Sequence, residues 1–117
     1  MKCDNLVQVI LKTGWKDPIV SKNGKCVIDF RHPKIKPELP YAYFLSSVDF
    51  DEEKNILRTT IRTKVDDVKE AYLEPCCENG TNVCRPHVDM KNKIFSVEAV
   101  FSQKPIERFE TLLTDLL

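Results

Sequence analysis

Two runs of alternating residues, Tyr41 to Asp51 and Ile56 to Val65, constrain the fold more than any other feature of the sequence. A period of two marks a strand with one face buried, and the polar spacer Glu52-Glu53-Lys54-Asn55 between the runs makes a hairpin. Parity sets the register. Pairing Asp51 with Ile56 collects Ala42, Phe44, Val48, Phe50, Leu57, Ile61 and Val65 on one face. The other face then carries Tyr41, Tyr43, Leu45 and Asp49 beside Arg58, Thr60, Arg62 and Lys64, with Asp49 opposite Arg58. A slip of one residue sets Val48 and Phe44 beside Arg58 and Arg62, so burial of one face selects the first register.

The flanking segments supply the rest of a sheet and its cover. Asn23-Gly24 is a turn signal feeding a short strand from Lys25 to Phe30. Pro33, Pro37 and Pro40 then make an extended connector, since each removes a backbone donor and restricts its predecessor. Asp66-Asp67 ahead of Val68, Ala71 and Tyr72 predict a turn or two of helix ended by Pro75. Val88-Asp89-Met90 and Ile94 to Phe101 predict a second hairpin, with Phe95, Val97, Ala99 and Phe101 on one face. Pro105 opens a helix in the first-turn position proline prefers. Its Ile106, Phe109, Leu112, Leu113 and Leu116 form one apolar stripe. The run Leu6 to Leu11 is read as a strand, because three of its six residues are β-branched. The competing reading is a short helix capped by Asp4 or Asn5 and stopped by Gly14. The fold class expected is a single α+β domain over residues 1–117. It has a mostly antiparallel sheet of five to six strands, with the C-terminal helix packed on one face.

Charge and composition exclude little but narrow the field. Eighteen Lys and Arg balance eighteen Asp and Glu, whereas a dedicated nucleic-acid binder carries a basic excess. The longest apolar runs fall far short of a bilayer span, so no membrane partner is expected. The opening Met1-Lys2-Cys3-Asp4-Asn5 lacks the pattern of a secretory leader, and the expected location is cytoplasmic. Five cysteines leave at least one thiol outside any intrachain disulfide set, which favours a reducing compartment.

Cys76-Cys77, Cys84 and His87 form the densest chemical cluster. Free thiols are the first expectation there. A disulfide from Cys76 or Cys77 to Cys84 is the second. A zinc site using Cys76, Cys84 and His87, completed by Cys26, Cys3 or His32, is the third. Nucleophilic catalysis needs a thiolate with a base in reach, and only His32 and His87 offer one, with no surrounding signature. The acidic string Asp49-x-Asp51-x-Glu53-x-Asn55 fails as a calcium loop, because Lys54 stands where the sharp turn needs glycine. Asn79-Gly80-Thr81 is a glycosylation acceptor pattern and equally a plain turn. Trp15 is expected to pack in the core.

The residues therefore point to a non-catalytic binding or assembly module with no cofactor, joining another protein or a second copy of itself. Its working surface would be the outer face of the central hairpin, with a sheet edge as an aid to self-association. Small α+β chains of this kind occur as phage or viral accessory proteins, adaptors and subunits of assemblies. One alternative is an anionic small-molecule or nucleic-acid binder using Arg58, Arg62, Lys64, Tyr41 and Tyr43. The other is a small metal or thiol enzyme around Cys84 and His87.

Overall fold

The computed structural model describes residues 2–21, 26–34, 45–64, 83–89, 91 and 93–117. Its element order is α1 (Lys2–Lys12), β1 (Lys16–Val20), β2 (Cys26–Arg31), β3 (Leu45–Asp51), β4 (Ile56–Lys64), β5 (Val83–Asp89), β6 (Ile94–Phe101) and α2 (Pro105–Asp115). The six strands form one antiparallel sheet in the order β1-β2-β3-β4-β6-β5. Tyr41 to Phe44, the helix expected after Asp66-Asp67, Val65 and the pair Cys76-Cys77 lie outside the described residues.

The central register is the one parity demands. Asp51 pairs with Ile56, Asp49 with Arg58 and Ser47 with Thr60. Val48, Phe50, Leu57 and Ile61 are buried, as are Val97, Phe101, Phe109 and Leu113. They join Ile28, Phe30, Phe95 and the helix residues Leu6 and Ile10 in one core cluster. Both helices thus lie on the same face of the sheet. Asn55, with φ 55°, supplies the left-handed residue of the β3–β4 turn. Asp51 Oδ1 accepts from the Lys54 N–H at 3.1 Å, which steadies the same turn.

The segment Leu6 to Leu11 is not a strand but the body of α1. Its buried residues Leu6, Val9 and Ile10, with Cys3 and Val7 partly buried, recur at helical spacing. Burial of that stripe overrides the strand preference of its β-branched residues. The stop is at Gly14, whose φ of 102° only glycine adopts readily. Gly14 N–H donates to Leu11 O and Trp15 N–H to Ile10 O, both at 3.1 Å. Together these bonds make a Schellman C-cap, and Trp15 and Ile10, at the positions where that motif carries apolar residues, both belong to the core cluster.

Trp15 joins the layers. It is 1% exposed, and its ring meets Phe30 edge-on at 5.4 Å and His32 at 5.0 Å. Its indole N–H donates to Leu113 O at 3.0 Å. That carbonyl belongs to the last turn of α2, where helix carbonyls lack a partner within the helix. His32 is accordingly no surface histidine: it is 1% exposed, with Nδ1 accepting from the Lys34 N–H at 3.1 Å.

Cys3 and Cys26 form a disulfide with Cα atoms 5.5 Å apart. These two cysteines are therefore neither free thiols nor spare zinc ligands. The bridge ties the first turn of α1 to the start of β2, closing a loop with a sequence separation of 23. An exposed ion pair, Lys12 Nζ to Glu110 Oε1 at 2.7 Å, adds a weaker link between the helices.

Two outcomes follow for stability. Replacing Cys3 and Cys26 together by serine should lower the unfolding free energy by about 3 kcal/mol, the chain-entropy value for a loop of this size. Trp15→Phe keeps a packed ring but strands the Leu113 carbonyl, costing about 1–3 kcal/mol. Denaturant midpoints at constant m-value would measure both, and an unchanged midpoint in either variant would contradict the assignment.

Candidate binding face

The face away from the helices is built by every second residue of the strands. Three rows of paired positions cross it. One runs Val27, Asp49, Arg58, Val100 and Val83; the next runs Asp29, Ser47, Thr60, Glu98 and Arg85; the third runs Arg62, Ser96 and His87. Lys64 holds the register position beside Ile94, and Ile19 sits beside Asp29 on the edge strand. No described helix covers this face.

Of the five residues expected to bind a ligand, Arg58, Arg62 and Lys64 share this side of β4 by register. Arg58 is exposed and directly opposite Asp49. Arg62 is half-buried, with Nη1 donating to Leu45 O at 3.4 Å and its backbone N–H to Ser46 Oγ at 2.8 Å. Tyr41 and Tyr43 lie outside the described residues. Two further polar groups lie on β5: Arg85, which the sequence did not single out, and His87, which it singled out only beside the cysteines. Arg85 and His87 are exposed on β5, and the register sets them beside Glu98 and Ser96. The alternation in Val83 to Asp89 was the available signal, and the proline at its middle obscured it.

Charge is not spread evenly over the face. On β4, β6 and β5 it carries Arg58, Arg62, Arg85 and the Lys64 position against Glu98 and Asp89. On β2 and β3 it carries Asp29, Asp49 and Asp51 against Arg31, whose Nε is ion-paired with Asp17. Glu52 and Glu53 extend the acidic side to the β3–β4 turn, where they line an open depression together with Asp4, Cys3 and Cys26. Apolar side chains are interleaved with these charges. Val27, Leu45, Ile56 and Val100 are half-buried, and Ile19 is 59% exposed, the highest among the described large apolar residues.

The cysteine-centred alternative has a different geometry. Positions 84 and 87 are three apart on an extended strand, paired with Ala99 and Ser96 respectively, and so belong to opposite faces of β5. Among the described residues no group of three or more His, Cys, Asp or Glu is placed to hold a metal ion. Cys76 is not among them. Among those residues no helix is long and apolar enough to cross a membrane.

The chain matches no protein-family model, no curated protein and no solved structure.

The Asp49–Arg58 pair should matter little to folding. Both side chains are exposed, so a double-mutant cycle to alanine should return a coupling of about 0.2–1 kcal/mol, shrinking with added salt. A coupling well above this, insensitive to salt, would mean that the face is covered.

Proposed function

We propose that the chain is a non-catalytic binding or assembly module whose working surface is the sheet face that its described helices leave uncovered. The carrying observation is the asymmetry of cover. Both described helices pack on one side, while the other presents Ile19 and half-buried Val27, Leu45, Ile56 and Val100 among charged residues. Apolar surface rimmed by charge is the composition of interaction sites.

The sheet edges fit the role less well. β1 contains Pro18 and a register irregularity between Lys16 and Ile19, and β5 has Pro86 at its centre. A proline removes a donor from a free edge, and bulges twist it away, so both devices discourage strand addition. Face contact is then the route left for assembly.

An anionic ligand is the second reading. It is favoured by Arg58, Arg62 and the Lys64 position on β4, with Arg85 and His87 two strands away. The Cys3–Cys26 bridge accords with an oxidising environment more than with the cytoplasm, where thiols are kept reduced.

Backbone NMR of the folded chain tests the proposal. A concentration series of the protein, and titration with a heparin-class polyanion, should shift amides of β3, β4 and β6 and leave those of α1 and α2 in place. Shifts confined to the helices or to the outer edges of β1 and β5 would overturn it.

A further inference from the structure

His32 follows β2 on the side of the sheet that the described helices cover, in step with Ile28 and Phe30. It is the one titratable side chain among the buried described residues. We propose that His32 is an acid-sensitive latch on the helical layer. Taking up a proton breaks the seat it shares with Trp15 and loosens both helices from the sheet. The latch acts on the side away from the binding face and does not depend on how that face is used.

A hydrogen bond decides the charge state of the ring. Nδ1 of His32 accepts from the Lys34 N–H at 3.1 Å. A backbone N–H can only donate, so Nδ1 has to present its lone pair, and the ring is the neutral tautomer protonated at Nε2. An imidazolium carries a proton on both nitrogens and has no acceptor left. Protonation therefore sets two donors against each other, and either the ring or the turn at Pro33-Lys34 must move. The ring has little room to do so: it is 1% exposed and lies 5.0 Å from the Trp15 ring, edge-on. Movement there reaches the helices through the indole. Trp15 directly follows the Gly14 turn that ends α1, and it donates to Leu113 O of α2. A displaced indole gives up that bond and the edge contact with Phe30 together.

The charges on the surrounding elements do not favour a cation at this point. Arg31 and Lys34 flank His32 in the chain, and Lys16 is paired with Arg31 across β1. Lys12 of α1 and Arg108 of α2 are the nearest cations of the helices in sequence to the Trp15 seat. On the helix side the described carboxylates are Asp4 of α1 and Glu107, Glu110 and Asp115 of α2, and none of them is buried. Glu110 is ion-paired with Lys12, and Asp17 of β1 with Arg31. Asp29, Asp49 and Asp51 belong to the opposite face.

A histidine in an unfolded chain takes up its proton near about pH 6.5. Below that pH the unfolded state binds a proton that the latched state excludes, so stability falls as pH falls. One such group raises the unfolding constant about thirtyfold between about pH 8 and about pH 5. The test is urea unfolding of the full chain at those two pH values, followed by the fluorescence of Trp15, the only tryptophan. Wild type is compared with His32→Asn, which keeps an acceptor for the Lys34 N–H, and with His32→Phe, which keeps a ring; neither replacement titrates. The acid-induced rise in the unfolding constant should be about thirtyfold larger in wild type than in either variant. Equal rises in wild type and variants would overturn the proposal. Should both variants fail to fold, NMR of the wild-type imidazole decides. The charged form of His32 should appear only together with a shift or loss of the Trp15 indole N–H signal. A His32 ring that charges while the indole signal and the helix amides stay in place would overturn the latch.

Discussion

The indole of Trp15 is the contact on which the layering depends. It follows the Gly14 turn directly, so it sits where α1 has just ended and β1 is about to begin. From that point it donates to the last turn of α2 and packs edge-on against Phe30 of β2. Phe30 in turn meets Phe109 of α2 at 6.0 Å. Two helices from opposite ends of the chain are thereby brought to one side of a sheet formed between them. Without that common anchor each helix would present a narrow apolar stripe with only part of the sheet to cover it. The Cys3–Cys26 bridge reinforces the arrangement from the other end of α1.

Placing both helices on one side has a consequence for the other. A six-stranded sheet has two faces, and the described helices cover one of them. The remaining face must satisfy water by alternating charge with smaller polar groups, and it does so with cross-strand pairs such as Asp49–Arg58 and Glu98–Arg85. These pairs do not make the face uniform. Acidic residues gather on β2 and β3 and basic ones on β4, β5 and β6, so local neutrality coexists with a polarised surface. Such polarity adds more to orientation and encounter rate than to raw affinity. Apolar residues between the charges would supply the contact energy.

The middle of the fold was legible in the sequence because a period of two fixes the parity that buries Val48, Phe50, Leu57 and Ile61 together, and the four-residue spacer picks the register. The C-terminal helix was legible for the same kind of reason, since Phe109, Leu112, Leu113 and Leu116 repeat at helical spacing behind Pro105. The first helix was not, because six residues are too few to separate the two periods when half are β-branched. Including Cys3 lengthens the run, and Cys3, Leu6 and Ile10 then share one helical face. Cys26 alternates with Ile28 and Phe30 toward the same core. Those two patterns together are the signal that could have paired the cysteines. The strand holding Arg85 and His87 was hidden by Pro86, which an edge position tolerates but a strand pattern does not advertise. Half of the candidate face could thus be drawn from the central hairpin. The polarity across it required the order of β4, β6 and β5.

The central claim is that the described helices close one face of this sheet and none of them covers the other. Relaxation of methyl groups by a water-soluble paramagnetic chelate, measured on the folded chain at high salt, tests it most directly. Neighbouring methyls should alternate along each strand. Val27, Ile56 and Val100 should relax strongly, while Ile28, Leu57, Val97 and Leu113 should be protected. Equal protection of both sets would show a further layer over the outer face and contradict the account.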